Sequence, residues 1–422
     1  MIQVILRRIN DHFGTCRLRH APIGCLNNHA NRRSPLAIIS PNSNFMFSLC
    51  CILVVAQTHP LLAEDSGIAN LGKKLFFDKG LSFNSTQSCA TCHIPEYAFS
   101  DRTAYEAGRG TSIGADGSSP GNRNTPSINY AAILPIFHRE DGDEYVGGFF
   151  QDGSAATLGE QIATPITAPT EMAMPDPAAV ISYLRNDHNY NRLFQKIFGD
   201  NILENPSAGF KALTVAISAY LKTYPFLAFD SKYDRYLKGR YKMTKLEEQG
   251  RIIFFSDLLN CMNCHMLHTD HYSDNETFAD NRYYNIGVPT NHDNNSENFR
   301  NHSADLGLAL NPRVEKTGLA RGRFRTPSLR NIAVTAPYMH NGVFKKLETA
   351  IAFYNQYLVV TTQSGTNPET SLPWRAPAVP ENIARTKLRS GQPIGAERMK
   401  SLVAFLKTLT DAKYEHLLSK EE

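Results

Sequence analysis

The chain has 422 residues, 42% hydrophobic and 20% charged, a balance that suits a soluble protein of two domains and excludes a disordered or membrane-embedded one. Its formal net charge of +4 arises in residues 1–63, where Arg7, Arg8, Arg17, Arg19, Arg32 and Arg33 face a single acid, Asp11. Without that segment 38 basic residues stand against 39 acidic ones, so nothing argues for a nucleic-acid partner.

Residues 1–63 read as a leader. The apolar run from Phe47 to Ala56 is too short to span a bilayer. It precedes Leu61-Leu62-Ala63 and the acidic Glu64-Asp65, the order of a signal-peptide core and its cleavage site. A translation start at Met46 fits the same reading. The expectation is an exported, periplasmic protein with no stable membrane span. Cys16, Cys25, Cys50 and Cys51 lie in this leader, so the mature chain keeps Cys89, Cys92, Cys261 and Cys264.

Ile68, Leu71, Leu75 and Phe76 follow helical spacing between Ser66 and Asp78. Next comes Cys89-Ala90-Thr91-Cys92-His93, matched later by Cys261-Met262-Asn263-Cys264-His265. Each is C-x-x-C-H, the attachment pattern of a c-type haem: two thiols form thioethers and the following His binds iron. Two such stretches use every mature cysteine and imply two covalent haems. C-x-x-C is also a thiol-redox or zinc pattern, and His268 and His271 extend the second motif toward a zinc site.

Gly108 to Gly121 reads as loop, and Asp152-Gly153 opens a helix through Leu158, Gln161 and Ile162. Further helices are expected at Pro177–Phe198 and Ser207–Thr223, with a linker from Pro225 to Tyr241. A capping box, Thr244-x-x-Glu247, starts the second half. The stretch from His268 to Pro312 reads as polar loop, and Gly395–Thr408 as the last helix. No strand pattern appears. The fold class is all-α with long loops: a cytochrome domain over 64–235 and a second over 236–422.

The halves repeat one another. Gly72-Lys73-Lys74-Leu75-Phe76-Phe77 parallels Gly250-Arg251-Ile252-Ile253-Phe254-Phe255, and Thr125-Pro126-Ser127 parallels Thr326-Pro327-Ser328. Asp152-Gly153, Leu158 and Ile162 parallel Asn341-Gly342, Leu347 and Ile351 at identical spacing. An internal duplication is the expectation. In that register Pro165 corresponds to Tyr354. Proline cannot ligate iron and a phenolate can, so one open and one closed haem are expected. Glu171, just past Pro165, is a candidate acid-base group.

These residues resemble the bacterial di-haem cytochrome c peroxidase family, and within it the MauG-type branch, over roughly Ser66 to Thr410. The signature is close to complete in Arg325-Thr326-Pro327-Ser328-Leu329-Arg330-Asn331 and in Thr335-Ala336-Pro337-Tyr338-Met339-His340-Asn341-Gly342. The resemblance implies His93 and His265 as proximal iron ligands, Gln161, Pro165 and Glu171 over the first haem, and Tyr354 as axial ligand of the second. Met339 is the rival for that position. The resemblance also implies a calcium ion held by Asn124 and the carbonyls of Thr335 and Pro337. The implied activity is reduction of hydrogen peroxide with electrons from a small cytochrome c, a cupredoxin or a protein substrate. A non-enzymatic di-haem electron-transfer cytochrome is the alternative.

Two departures stand out. Family members that need activation carry a His between the first motif and the Asn-x-Pro signature, and none occurs from Ile94 to Phe137. The family's inter-haem Trp-Asp-Gly-Arg is here Gln151-Asp152-Gly153-Ser154. The single Trp, Trp374, lies far along the chain, so electrons between the haems need another route.

Overall fold

The computed structural model describes residues 67–267, 275–292, 304–315, 318–358 and 365–420. The leader, His268 and His271 lie outside the described residues. The chain is rich in helix with few strands. None of the described helices is long and apolar enough to cross a membrane.

Two helix pairs set the frame. In the first half, Gly67–Phe76 crosses Pro206–Tyr220; in the second, Lys245–Phe255 crosses Ala396–Lys407. Each crossing is made at a glycine. A Cβ on Gly72 would lie 1.9 Å from the Ala216 carbonyl oxygen, and one on Gly250 would lie 1.9 Å from that of Ser401. Glycine in a helix interior costs about 0.8–1 kcal/mol relative to alanine; here it lets two backbones touch. Leu71, Leu75 and Phe76 then pack with Leu213, Ile217 and Phe226, while Phe254 packs with Leu402, Phe405 and Leu406.

Local signals explain the helix ends. Asn205 accepts from Ala208 N (3.1 Å) ahead of Pro206. The Thr244–Glu247 box forms in both directions, at 3.3 and 2.7 Å. Asp187 ends the helix Pro177–Asn186 and caps His188–Phe198, accepting from Asn189 N and Tyr190 N. The single helix expected over 177–198 is therefore two. The expected linker contains the helix Lys232–Leu237, opened by a Ser231–Asp234 capping box. The expected helix after Asp152-Gly153 starts only at Leu158, capped by Thr157.

Strands do occur, and among the described residues only as two-residue antiparallel pairs. His138–Arg139 pairs with Tyr145–Val146, and Tyr283–Tyr284 with Phe324–Arg325. Residues this short carry no readable alternation.

The end of the described chain touches both halves. Ala98 packs in one cluster with Val334, Tyr414 and Leu417. Asn331 N donates to Leu409 O at 3.1 Å, and Tyr130 Oη to Asp411 Oδ1 at 2.6 Å.

Candidate functional site

Both C-x-x-C-H stretches fold as one tight turn. His93 N donates to Cys89 O at 2.9 Å, and His265 N to Cys261 O at 3.0 Å. Each imidazole is then fixed by a backbone carbonyl. His93 Nδ1 lies 3.0 Å from Phe99 O, and His265 Nδ1 lies 2.8 Å from Phe278 O. A carbonyl only accepts, so Nδ1 carries the proton and Nε2 is the basic nitrogen. Burial lowers both imidazole pKa values and keeps the rings neutral.

The repeated Thr-Pro-Ser holds the residue just before each of these carbonyls. Ser127 Oγ donates to Ala98 O at 2.5 Å, and Ser328 Oγ to Thr277 O at 2.8 Å. Ala98, Phe99 and Phe278 hold φ values of 52°, 57° and 58°, uncommon for residues with a side chain. The serines brace loops that would otherwise relax.

One continuous cavity of about 1090 Å³ is lined by both motifs. That exceeds the roughly 300–1,000 Å³ of a pocket for one small ligand. Its wall includes Cys89, Cys92, His93, Gln161, Pro165 and Glu171, together with Cys261, Cys264, His265 and Tyr354. No disulfide joins the four cysteines, and as thiols their desolvation by the surrounding protein pushes each up to about 12. A redox C-x-x-C needs the opposite shift. Among the described residues no three His, Cys, Asp or Glu side chains cluster to hold a metal ion.

Glu171 sits on the turn after the helix Leu158–Thr167. Met172 N donates to Pro165 O (3.1 Å) and Ala115 N to Glu171 O (2.7 Å), pinning that turn. Its carboxyl makes no hydrogen bond among the described residues and faces the cavity. The surrounding protein atoms raise its pKa by desolvation. Its charge reaches Cys89 and Cys92, adding to the upward shift of both.

Tyr354 lies just past the helix Leu347–Ala352, not within it. Its hydroxyl has no hydrogen-bond partner among the described residues. Burial raises its pKa well above the ordinary value, and the nearby Cys264 and Cys261 push the same way. Met339 also lines the cavity.

The remaining signature residues meet across the cavity wall. Asn124 Nδ2 donates to Pro337 O at 2.6 Å and Asn124 N to His340 O at 2.9 Å; Thr335 lines the same wall. Gln151 Nε2 donates to Asn124 O at 3.2 Å, and Gln151 O accepts from Arg325 N at 2.9 Å. Sequence reasoning gave no role to Arg123, which bonds Asp152 (2.7 Å) and Asp305 (2.7 Å) at once. Nor did it single out the Arg325 side chain. Arg325 Nε is buried at the cavity wall without a partner among the described residues, and burial lowers its pKa. Such a donor suits an anionic edge of a bound group.

The model of the di-haem cytochrome c peroxidase family matches residues 66–242. The methylamine utilization protein MauG of Paracoccus denitrificans is 44% identical over 386 residues, 91% of this chain and 96% of that protein. Cytochrome c551 peroxidase of Pseudomonas aeruginosa is 32% identical, over 67% of this chain and 70% of its own. The crystal structure of the diheme peroxidase BthA from Burkholderia thailandensis superposes with a TM-score of 0.74 at 32% identity, covering 84% of this chain and 88% of that one.

Proposed function

Because the chain belongs to the di-haem cytochrome c peroxidase family and is an oxidoreductase of that kind, we propose that it is an exported, periplasmic enzyme that reduces hydrogen peroxide. The observation that carries this reading is one cavity walled by two C-x-x-C-H turns, each with its imidazole oriented by a backbone carbonyl. The residues facing the two turns differ, which suits a division of labour.

Bound haem c supplies the iron redox chemistry that cleaves the O–O bond. Cys89 and Cys92, and Cys261 and Cys264, supply the thioethers, and His93 and His265 each offer Nε2 to iron. Pro165 offers no donor and leaves space for peroxide. Glu171, exposed to the cavity and with its pKa raised by desolvation from the protein atoms around it, takes and returns a proton, while Gln161 donates a hydrogen bond beside it. Tyr354 offers the phenolic oxygen to the second site. The unfilled donor of Arg325 suits a propionate. Rotating the Asn124 amide would turn Oδ1 toward a calcium ion also held by the Thr335 and Pro337 carbonyls. A small cytochrome, a cupredoxin or a protein substrate supplies the electrons.

Two cytochrome domains, 64–235 and 236–422, arose on this reading by duplication. Support comes from the matched close approaches at Gly72 and Gly250 and the matched serine braces. Steady-state peroxide turnover with several donor proteins tests the activity. A ferric spectrum without a high-spin component, and no turnover, would turn the reading to an electron-transfer cytochrome.

A further inference from the structure

The two histidine-bearing loops are joined by a buried chain of contacts. Phe99, whose carbonyl orients His93, stacks on Phe226 with centroids 4.2 Å apart. Phe226 O accepts from Tyr130 N at 2.8 Å. The Arg330 guanidinium lies 5.1 Å from the Tyr130 ring and 5.8 Å from Phe278, whose carbonyl orients His265. Tyr130 and Arg330 both line the cavity.

At the centre of this chain is a phenol on a carboxylate. Tyr130 Oη donates to Asp411 Oδ1 at 2.6 Å and accepts from Phe229 N at 3.1 Å. Asn331 Nδ2 donates to Asp411 Oδ2 at 2.7 Å, and Asp411 N donates back to Asn331 Oδ1 at 2.8 Å. Tyr130 is 2% exposed and Asp411 0%. Tyr130 and Asn331 each stand three residues past the serine brace of their half, both with positive φ. The two halves thus hold one carboxylate between them. Burial raises that carboxyl to about 6 despite its partners, which makes it a stronger base than a surface aspartate.

We propose that Tyr130 and Asp411 form a proton-coupled redox relay between the two haem sites. It rests on the peroxidase reading, since peroxide is the oxidant. One electron leaves the Tyr130 phenol for the oxidised site. The Oη–H bond breaks and the proton moves to Asp411 Oδ1. An electron from the reducing side then restores the phenol, and the proton returns to Oη. The Arg330 cation disfavours a positively charged ring, so the proton must leave with the electron.

The test is rapid freeze-quench electron paramagnetic resonance of the holoprotein after mixing with peroxide, in H₂O and D₂O. Wild type should give a tyrosyl signal whose formation slows in D₂O. Tyr130→Phe keeps the ring between Arg330 and Phe229 and should abolish that signal. Asp411→Asn keeps the bond to Asn331 and should slow its formation by about 10²-fold, in line with loss of a general base. A tyrosyl signal undiminished in Tyr130→Phe, or unaffected by Asp411→Asn and by D₂O, overturns the relay. A wild-type holoprotein inert to peroxide overturns the peroxidase reading instead, and flash photo-oxidation with a ruthenium sensitiser then gives the same three-way comparison without peroxide.

Discussion

Arg330 sets its two terminal nitrogens on the two carboxylate oxygens of Asp234, each at 2.8 Å, with both side chains 1% exposed. Burial alone would raise the Asp234 pKa, but the hydrogen bonds and charge of Arg330, with Ser231, hold it below the usual range. Removing one partner of such a pair leaves the other charge buried, at a cost of about 3–5 kcal/mol. Asp234→Ala should lose stability on that scale in denaturant titrations at matched haem content. The sign with pH follows from the depressed pKa. The contribution is present above the unfolded value of about 3.9 and fades as pH falls through the lower folded value. The gap between wild type and Asp234→Ala should therefore narrow only under strong acid.

Gly250→Ala tests the helix crossing. The added methyl meets the Ser401 backbone carbonyl, which cannot rotate away. Overpacking costs typically about 1–3 kcal/mol, occasionally more, and this position should fall at or above the upper end. Gly395→Ala, where a Cβ meets nothing within 4 Å, should unfold at nearly the wild-type denaturant concentration. Equal midpoints for the two variants would remove the glycine from any packing role.

Glu171→Gln keeps the size of the side chain and removes its proton transfer. Peroxide turnover should fall by roughly 10²–10⁴-fold with haem content unchanged by mass. The raised pKa of Glu171 should place a limb in the wild-type pH–rate profile above the position expected of a free glutamate. That limb should vanish in the variant. Near-normal turnover would make Glu171 a loop carboxylate and nothing more.

Tyr354→Phe deletes one oxygen and keeps the ring that packs on Phe353 at 6.0 Å. The second haem should shift toward a high-spin spectrum and its reduction potential should rise, because a phenolate favours ferric iron. Met339→Leu should change neither. The reverse pattern, with the low-spin signal lost only in Met339→Leu, would make Met339 the ligand.

Much of this site was legible because it is written locally. C-x-x-C-H spans a single turn, and the Thr244–Glu247 box spans one helix start. The repeated Thr-Pro-Ser was visible too, although its purpose, holding the residue before each histidine-orienting carbonyl, shows only in the folded chain. Asp234 and Arg330 are 96 residues apart, and Tyr130 and Asp411 are 281 apart. No periodicity links such pairs. The helix Lys232–Leu237 was missed for another reason. Its Ser231-x-x-Asp234 cap was readable, but six residues between Pro225 and Tyr241 are too few to show an apolar stripe. Asp187 hid a break inside an apolar pattern that continues on both sides of it.

The contacts past Leu409 also tie the first histidine loop to a distant part of the chain. Ala98 and Tyr130 precede the second C-x-x-C-H stretch, yet their partners Asp411, Tyr414 and Leu417 follow it. Residues 98 and 99 form the loop whose Phe99 carbonyl orients His93. Damage to the segment past Leu409 should therefore be felt at the first C-x-x-C-H turn, far away in sequence, as well as at Asn331 beside it.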